Sequence, residues 1–382
     1  MAQNTPSLRV FASPGRYVQG RGAMERLGSL VGGVGSRPLV LTDDVVRGLV
    51  GATLERSFAE VGVPLIFERF GGVPTRTESE RVGEVIRSQD HDVIVGLGGG
   101  AAIDAAKAAG ANAGVPWVSA ATVASTDAPT SALSVVYTEK GAFESYRFYD
   151  RNPALVVVDT QLVAQAPTRF LAAGVGDALA TWIEARALRG TDATNMVEGR
   201  PTRAGTALAR LSWDILWESA LPALDAVDHD LVTPDVEAVV EATTLLSGLG
   251  FESGGLAAAH AVHDGLTAVD ETHHLAHGEK VNIGSLTQLL LEGAPTSEVE
   301  EFAEFTARAG LPTTLTEAGL GKADDALLDR VVAAATAPEE TIHNLPFTPS
   351  HRDVRDALRA VEGVGRRVRR RAGLGEPRAP KG

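Results

Sequence analysis

The hydrophobic pattern of the first 160 residues alternates between two kinds of segment. Short apolar, β-branched runs predict strands, and the stretches between them have the spacing of amphipathic helices. The predicted strands span Pro38–Thr42, 64–67, 92–97, 116–120 and 154–159. Such alternation is typical of a parallel sheet with helices on both faces. Two further runs, 132–138 and 143–149, predict an antiparallel hairpin near the last crossover.

After residue 159 the strand pattern stops and helical periodicity replaces it. The predicted helices span 169–188, 203–224, 234–249, 255–267, 278–291 and 297–309. Pro167, just ahead of the first of them, is typical of a helix start and supports a domain boundary near 163. The sequence therefore predicts an α/β N-terminal domain with a Rossmann-like parallel sheet over 1–163 and an all-helical C-terminal domain over 164–366.

Arginines accumulate near the end of the chain, at Arg366, Arg367, Arg369, Arg370 and Arg371. They could form a nucleic-acid-binding arm. We favour the solvated end of a final helix, where positive side chains lie near the negative pole of the helix dipole. Residues 367–382 are predicted to form a basic flexible tail.

Composition narrows the possible functions. The 382 residues include 35 Lys and Arg against 49 Asp and Glu, a formal net charge of −14, so neither nucleic acid nor an anionic membrane is an expected partner. The chain has no cysteine, which excludes disulfides and thiolate nucleophiles and leaves His, Asp and Glu to hold any metal ion. No apolar stretch has the length of a signal peptide core or a membrane span, so we expect a cytoplasmic protein.

A glycine-rich turn is the first candidate binding element. Residues 93–100 (VIVGLGGG) are a buried-type strand that runs into Gly98, Gly99 and Gly100, and a helical stretch follows at once. Such a turn lets backbone N–H groups and a helix N-terminus approach an anion, so it predicts a cradle for the pyrophosphate of a dinucleotide. It departs from the G-x-G-x-x-G fingerprint, because Ala101 replaces the third glycine and the turn follows the third strand. A purely structural role for the glycines is the alternative.

Three charged residues near the predicted sheet are candidates for the same site. Asp104 and Lys107 lie three residues apart on the helix after the turn, where a surface ion pair is the alternative to a role in cofactor binding. Asp43 ends the strand Pro38–Thr42, where an acid can bind an adenosine ribose and disfavour a 2′-phosphate, which indicates NAD rather than NADP. Asp43 could also cap the next helix, and one residue can do both.

Histidines are concentrated in one short stretch. Five of the nine lie between residues 260 and 277, at His260, His263, His273, His274 and His277. The sequence around the first two is too small and apolar to explain two imidazoles by packing, so metal binding is favoured over a structural role. No H-E-x-x-H motif is present, and a carboxylate must come from elsewhere.

Asp177 is the candidate carboxylate, because it stands in the otherwise uncharged, small-residue segment 174–180. An acid in that setting is costly unless it is paired or binds a metal. Two histidines and one aspartate leave coordination positions open, as in catalytic rather than structural zinc sites. A polar loop at 125–129 follows the strand 116–120, where ligands of parallel sheets gather, although an Asx-turn before Pro129 would explain it too.

Five segments of the sequence match motifs that occur together in one known family. They occur at 13–20 (SPGRYVQG), 124–137 (ASTDAPTSALSVVY), 176–182 (GDALATW), 252–260 (ESGGLAAAH) and 341–344 (TIHN). In these segments, which span nearly the whole chain, the sequence resembles the iron-containing (group III) alcohol dehydrogenases, and within them the glycerol dehydrogenase branch. That resemblance implies the dehydroquinate-synthase-like two-domain architecture, NAD and metal as cofactors, and a homo-oligomer, specifically an octamer.

The resemblance also implies roles for individual residues. Asp177, His260 and His277 would bind the metal, and Asp127 would meet the substrate hydroxyls. The residues expected to border the cofactor are Thr122, Ser125, Ser131, Leu133 and Tyr137.

Three positions depart from the family pattern. Related iron enzymes have a histidine four residues after the aspartate ligand, and Thr181 stands there, which favours Zn²⁺ over Fe²⁺. The family usually has lysine after the glycine triplet, where this chain has Ala101, so we expect weaker pyrophosphate binding or a changed cofactor preference. Asp264 stands where asparagine is common and adds negative charge near the metal.

These inferences combine into one predicted reaction, the reversible, NAD-dependent oxidation of glycerol to dihydroxyacetone with zinc as Lewis acid. Asp127 would hold a neighbouring hydroxyl, and His263 or His274 would relay the proton, with no sequence feature choosing between them. The alternatives are another polyol or a cyclitol as substrate, or a metal- and nucleotide-binding protein without turnover. A phosphorylated substrate, as in the dehydroquinate-synthase-like lyases, is disfavoured because residues 250–277 contain no lysine or arginine.

Overall fold

The computed structural model describes residues 8–379. Within them the chain forms two compact units. The first, here called the α/β unit, contains residues 12–171 and 222–249, and the second, the helical unit, contains 8–11, 172–221 and 250–379. The predicted fold class, a Rossmann-like α/β part with a largely helical remainder, is confirmed.

The α/β unit is built on a parallel sheet. Its strands are β1 (Tyr17–Gly20), β2 (Pro38–Thr42), β3 (Ile66–Arg69), β4 (Val93–Gly98), β5 (Trp117–Ala121) and β8 (Leu155–Asp159). Among the described residues they form a six-stranded sheet in the order β1-β8-β5-β4-β2-β3, with every neighbouring pair parallel. The four central strands are fully buried and the two edge strands only partly, as a sheet covered on both faces requires.

The hairpin and the edge strand β1 differ in how well the sequence predicts them. The predicted hairpin is present as β6 (Leu133–Tyr137) and β7 (Phe143–Phe148), which pair antiparallel. The strand β1 was not predicted, because it has only four residues and they are only half-buried. β3 begins two residues later than predicted.

Alternate side chains of the central strands enter two separate apolar layers, because successive residues of a strand point to opposite faces. Leu39 and Leu41 pack into one layer with Ile86, and Val40 packs into the other with Phe58. The helices that cover the sheet are α1 (Leu27–Val31), α2 (Asp44–Glu60), α3 (Arg76–Ser88), α4 (Gly100–Ala113) and α5 (Thr160–Gln165).

The remaining helices lie mostly in the helical unit. They are α6 (Thr168–Ala187), α7 (Arg203–Val227), α8 (Pro234–Glu241), α9 (Ser247–Gly254), α10 (Ala258–Thr267), α11 (His277–Leu291), α12 (Thr296–Arg308), α13 (Asp325–Ala335) and α14 (His351–Ala372). None of the helices within residues 8–379 is long and apolar enough to cross a membrane.

The predicted helix 234–249 differs from the structure in two respects. It is interrupted by a π-helical turn at Ala242–Leu246, where the hydroxyl of Thr243 donates to the carbonyl of Val239 at 2.9 Å and so competes with the regular helical pattern. It also belongs to the α/β unit rather than the helical one, since Gln19 of β1 donates through Nε2 to the carboxylate of Glu237 at 2.8 Å. A contact between residues so distant in sequence leaves no local pattern.

The basic end of the chain also differs from the predicted flexible tail. Helix α14 continues to Ala372, so residues 367–372 are helical, and residues 380–382 of the predicted tail lie outside the described part. Its arginines are tied to other helices: Arg367 and Arg371 both donate to Glu300, at 2.7 Å and 2.6 Å. The helix therefore continues beyond the predicted boundary at 366, and these ion pairs connect its last turns to α12.

Candidate active site

The helical unit brings one carboxylate and two imidazoles together. Asp177 lies in α6, His260 in α10, and His277 is the first residue of α11. The Nε2 atoms of His277 and His260 lie 3.2 Å and 3.4 Å from the same oxygen, Oδ1 of Asp177. One ligand atom from each side chain falls within 4.8 Å of the others. Carboxylate oxygen and imidazole nitrogen are ligands of divalent transition metals, so this set, the Asp–His–His cluster, could hold such an ion.

Glycines allow the helices of the cluster to approach closely. A Cβ on Gly278 would lie 1.8 Å from the carbonyl oxygen of Ala173, and one on Gly176 would lie 2.6 Å from the carbonyl oxygen of Gly278. A Cβ on Gly284 would similarly lie 2.1 Å from the carbonyl oxygen of Ala259. Two of these glycines neighbour the predicted ligands in sequence, so the small residues of the motifs bring the ligands together.

Glu184 holds the ring of His260 in place. It lies in α6 two helical turns after Asp177 and is fully buried. Its Oε2 accepts a hydrogen bond from Nδ1 of His260 at 2.6 Å, and its Oε1 accepts from the backbone N–H groups of Ala257 and His260 at 2.8 Å and 3.0 Å. A carboxylate on one ring nitrogen fixes the tautomer, so the other nitrogen is presented toward Asp177 as a metal ligand.

Attraction between opposite charges dominates the electrostatics of the cluster. Burial alone would raise the pKa of the Asp177 carboxyl, but the rings of His277 and His260 lower it far below its ordinary value. Burial would lower the pKa of His260, but the carboxylates of Glu184 and Asp177 raise it well above its ordinary value. Positive charge is therefore stabilised beside the carboxylates of Asp177 and Glu184. A bound metal cation would supply this charge in place of the protons on the imidazole rings.

The two candidates for proton relay occupy different environments. His263 is buried, its ring centroid lies 4.2 Å from that of His277, and its Nδ1 donates to Oδ1 of Asp264 at 2.8 Å. Burial and the neighbouring charges of His277 and Lys280 hold the pKa of His263 well below its ordinary value. With Nδ1–H bonded to Asp264, the neutral ring keeps Nε2 as a proton acceptor. His274 lies exposed in the segment between α10 and α11.

In the α/β unit, Asp127 is anchored by a residue far away in sequence. Asp127 is buried and precedes a short 3-10 helix at Ala128–Thr130. Its Oδ2 accepts a hydrogen bond from the hydroxyl of Ser247, the first residue after the π-helical turn, at 2.7 Å. A Cβ on Gly248 would lie 1.8 Å from the hydroxyl oxygen of Thr130, so this segment packs directly against the Asp127 loop.

The glycine-rich turn has the geometry that the sequence predicts. Gly98 ends β4 with a φ of +146°, which a residue with a Cβ rarely adopts, and Gly99 caps α4. A Cβ on Gly100 would lie 2.9 Å from the hydroxyl of Thr126. Thr122 follows β5 and donates its backbone N–H to the carbonyl of Gly98 at 3.1 Å. The turn therefore exposes a helix N-terminus at the carboxyl ends of two neighbouring parallel strands, where dinucleotides bind.

Two other candidates of the α/β unit lie at helix N-termini. Asp43 caps α2, with Oδ1 accepting from the N–H of Val46 at 2.9 Å, and its side chain is half-buried. The cap uses one carboxylate oxygen, which is compatible with a second role. Ala101 is exposed in the first turn of α4.

The pair Asp104 and Lys107 is buried, not on the surface as the ion-pair alternative supposed. Nζ of Lys107 lies 3.6 Å from Oδ1 of Asp104, and it donates to the hydroxyl of Ser131 at 3.0 Å and the carbonyl of Leu133 at 2.8 Å. Oδ2 of Asp104 accepts from the N–H of Val135 at 3.2 Å. These contacts join α4 to the start of the hairpin. Of the other candidates, Ser125 is half-buried in the loop after β5, and Tyr137 is half-buried at the end of β6.

Glu184 and Ser247 are functional candidates that were not predicted from the sequence. Glu184 carried a usable signal, because it is an acid seven residues after Asp177 and so lies on the same face of an apolar helix. Ser247 carried none, because serine inside a helical pattern is ordinary and its partner is 120 residues away.

Comparison with known proteins gives a family. Residues 14–160 match the family model "Iron-containing alcohol dehydrogenase". The chain is 49% identical over 95% of its length to "Glycolaldehyde reductase" of Halobacterium salinarum, covering 99% of that protein, and 46% identical over 94% of its length to "Glycerol dehydrogenase" of Escherichia coli, covering 98% of it. The crystal structure of glycerol dehydrogenase from Schizosaccharomyces pombe is 38% identical and superposes with a TM-score of 0.94, over 98% of this chain and 95% of that one.

The relatives define the class of protein as an oxidoreductase, and the Asp–His–His cluster is compatible with the divalent metal ion of that class. The chain belongs to the iron-containing alcohol dehydrogenase family, which uses NAD and a divalent metal ion. The predicted family and enzyme class are thereby confirmed.

Proposed function

We propose that this chain catalyses the reversible, NAD-dependent oxidation of glycerol to dihydroxyacetone. The observation that carries the proposal is the Asp–His–His cluster, in which Glu184 fixes one imidazole and three side chains share a space small enough for a single ion. Several relatives are glycerol dehydrogenases, and similarity extends over nearly the whole of both chains. This agreement favours a small polyol as substrate.

Asp177, His260 and His277 would hold the metal ion. When bound, the divalent ion would polarise the substrate oxygen and the nicotinamide would accept the hydride. Glu184 keeps Nε2 of His260 directed at the ion by accepting from Nδ1. His263, whose Nδ1–H is bonded to Asp264, takes up the hydroxyl proton at Nε2, and His274 is the alternative for the outward step.

Substrate selection is assigned to Asp127. Its carboxylate accepts a hydrogen bond from a hydroxyl next to the reacting one, which favours vicinal diols over simple alcohols. Ser247 occupies one lone pair of Oδ2 and so limits the orientations available to the carboxylate. A charge-assisted hydrogen bond of this kind discriminates against a substrate that lacks the hydroxyl, because such a substrate cannot form the bond.

We assign Zn²⁺ as the metal. Thr181 stands one helical turn after Asp177 and is buried, in the position where a histidine would complete a four-ligand iron site. A hydroxyl is a poorer ligand for Fe²⁺ than an imidazole, and three protein ligands with an open position are typical of catalytic zinc.

The cofactor site is assigned to the α/β unit. The turn Gly98–Gly99–Gly100 and the first turn of α4, including Ala101, cradle the pyrophosphate, and Asp43 binds the adenosine ribose. The residues that border the nicotinamide half are Thr122, Ser125, Ser131, Leu133 and Tyr137. Asp104 is assigned to the same site, where it lies beside Lys107 and accepts from the N–H of Val135 in the hairpin.

A second candidate is the reduction of a small hydroxyaldehyde, because the Halobacterium salinarum relative is a glycolaldehyde reductase. The experiment that separates the two is a panel assay in both directions, with glycerol, propane-1,2-diol and a cyclitol against NAD, and dihydroxyacetone and glycolaldehyde against NADH. Highest kcat/KM for the glycerol and dihydroxyacetone pair supports the proposal. A clear preference for glycolaldehyde, or for the cyclitol, contradicts the substrate assignment, and no turnover with any of them favours a binding protein.

We also propose that the enzyme acts as a homo-oligomer, an octamer by resemblance to its family. Light scattering coupled to size-exclusion chromatography checks this directly, and a monomeric mass contradicts it.

A further inference from the structure

A cavity of about 660 Å³ in the helical unit is lined by an unusual number of arginines. They are Arg9, Arg189, Arg200, Arg203 and Arg210, and Asp192 is the acidic residue that lines the cavity with them. The chain as a whole has a net charge of −14, so this concentration of positive charge runs against its composition. None of these side chains belongs to the Asp–His–His cluster or to the proposed cofactor site.

The chain holds two of the arginines side by side. The backbone of Arg9 forms an isolated bridge with that of Arg200, whose N–H donates to the carbonyl of Leu8 at 2.9 Å. Asn195 fastens the same segment by donating through Nδ2 to the carbonyl of Val10 at 2.9 Å. Neighbouring like charges repel each other, so a backbone arrangement that imposes them is typical of a site that an anion neutralises.

A helix N-terminus adds to the positive charge. Helix α7 begins at Arg203 and is long, and the hydroxyl of Thr202 accepts from the N–H of Gly205 at 3.0 Å, which marks the cap. Thr202, Arg203 and Thr206 all line the cavity, and the first turn of the helix contains no acidic residue. The N-terminal partial charge of the helix is therefore directed into the cavity without an internal counter-charge.

Internal partners neutralise only part of this charge. Arg200 is paired with Asp192, and Arg210 with Asp214, and the guanidinium of Arg210 also lies 5.3 Å from the ring centroid of Trp182. Among residues 8–379, Arg9, Arg189 and Arg203 have no acidic partner. Nε of Arg200 is buried and has no hydrogen-bond acceptor within the described part of the chain, which is costly for a charged donor unless a ligand supplies one.

We propose that this cavity, the arginine cavity, binds a small organic polyanion that carries at least one phosphate or two carboxylates. Planar guanidinium groups bind such oxyanions through paired hydrogen bonds, and the helix N-terminus favours the same charge. The volume suits a molecule of metabolite size rather than a polymer. The cavity shares no residue with the proposed polyol site, so the inference does not depend on the proposed substrate.

Isothermal titration calorimetry of the full chain with inorganic pyrophosphate and with citrate tests this proposal. The variant Arg189→Gln/Arg203→Gln removes two charges without an acidic partner, and Arg352→Gln is the matched control, since its side chain is exposed elsewhere in the same unit. We expect saturable binding of at least one probe to the wild type and the control, about tenfold or more weaker in the double variant, the size of two charge-assisted hydrogen bonds.

Circular dichroism and thermal melting establish that each variant is folded. Three results would each overturn the proposal. The first is no saturable binding of either probe, and the second is equal binding to the double variant, which pyrophosphate held at the glycine-rich turn would give. The third is a change of oligomeric state in the double variant without any anion binding. The last result would assign the arginines to contacts between copies of the chain. If the wild type and both variants all fail to oxidise glycerol while the wild type still binds the anion, the proposed function is contradicted and this inference stands.

Discussion

The orientation of His260 depends on a single buried acid, Glu184. The substitution Glu184→Gln keeps the size of the side chain and removes the charge that stabilises Nδ1–H of His260. We expect the affinity for the metal ion to fall roughly tenfold or more, because partners of ligating imidazoles typically have effects of that size. Competition with a chromogenic chelator measures it, and Glu218→Gln, an exposed acid of α7, is the control. Wild-type affinity in Glu184→Gln would show that the contact does not tune the ligand.

Ser247 makes the corresponding contact for Asp127. In Ser247→Ala the carboxylate loses a donor at 2.7 Å and gains rotational freedom, so we expect KM for glycerol to rise about tenfold while metal affinity stays unchanged. Steady-state kinetics with glycerol and propane-1,2-diol measure the effect.

Ser119→Ala is the matched control for that substitution. Ser119 is also buried in the α/β unit, and its hydroxyl has no hydrogen-bond partner among the described residues. Equal kinetic effects of the two substitutions would mean that the loss of a buried hydroxyl, and not the positioning of Asp127, is responsible.

At this scale the sequence predicted the residues with unusual chemistry and missed those with ordinary chemistry. Asp177 and His260 stand out because an acid and an imidazole are costly in apolar, small-residue segments, and the family resemblance adds His277 to them. Glu184 and Ser247 act through distances that only the tertiary structure creates. The sequence could not choose between His263 and His274, whereas the structure places His263 beside His277.

Among the elements, the turn between β4 and α4 is the one most open to engineering. Ala101 is exposed in the first turn of α4, where the family usually has lysine, so Ala101→Lys adds positive charge at the helix N-terminus. We expect NAD affinity to increase roughly two- to fivefold, the effect of one added charge at an exposed helix terminus, with kcat little changed. Fluorescence titration with NADH measures it. Ala101→Gln is the uncharged control, and an equal gain in that variant would exclude a charge effect.

The contact between Glu362 of helix α14 and Thr316 should depend on pH. Burial acts to raise the pKa of Glu362, but hydrogen bonds from the N–H and hydroxyl of Thr316, at 2.9 Å and 2.7 Å, and from Arg366 lower it below its usual value. A carboxyl whose pKa is lower in the folded state stabilises the protein above its unfolded pKa, and that contribution disappears as the pH falls through the folded pKa.

Glu362→Gln should therefore destabilise the protein by about 1–2 kcal/mol near neutral pH. The difference from wild type should begin to shrink below about pH 4.5, where the unfolded chain takes up the proton, and should disappear as the pH falls through the lower pKa of the folded state. Urea unfolding at a series of pH values checks this, with Glu218→Gln as the control. A difference that stays constant across the series would indicate lost packing instead.

The elements that the sequence predicted are those whose pattern is local. Buried central strands and amphipathic helices appear within a few residues of their predicted bounds. The edge strand β1 and the π-helical turn at Ala242–Leu246 do not, because the first is too short for a pattern and the second arises from threonine hydroxyls that bond to preceding carbonyls.

At the scale of the whole molecule, the compact units are not continuous in sequence. Residues 222–249 return to the α/β unit, where Glu237 bonds to β1 and Ser247 to Asp127. Sequence patterns assign elements but not the unit to which a returning helix belongs. The sequence analysis assigns residues 222–249 to the helical domain, whereas they belong to the α/β unit.

Metal binding should stabilise the folded chain as a whole, since the Asp–His–His cluster is assembled only on folding. A ligand at a hundred times its dissociation constant contributes about 2.7 kcal/mol, so we expect metal-stripped protein to melt several degrees lower than metal-loaded protein. Differential scanning calorimetry measures the shift. In His277→Ala the shift should be much smaller, and an undiminished shift would place the metal elsewhere.

In the proposed reaction the Asp–His–His cluster activates a polyol for hydride transfer to NAD. The most direct test measures NAD reduction with glycerol on chelator-stripped protein, on the same protein restored with Zn²⁺ or Fe²⁺, and on Asp177→Asn treated identically. We expect negligible turnover without metal, recovery with Zn²⁺ above that with Fe²⁺, and no recovery in Asp177→Asn. Full activity of the stripped protein, or equal recovery in Asp177→Asn, would contradict it.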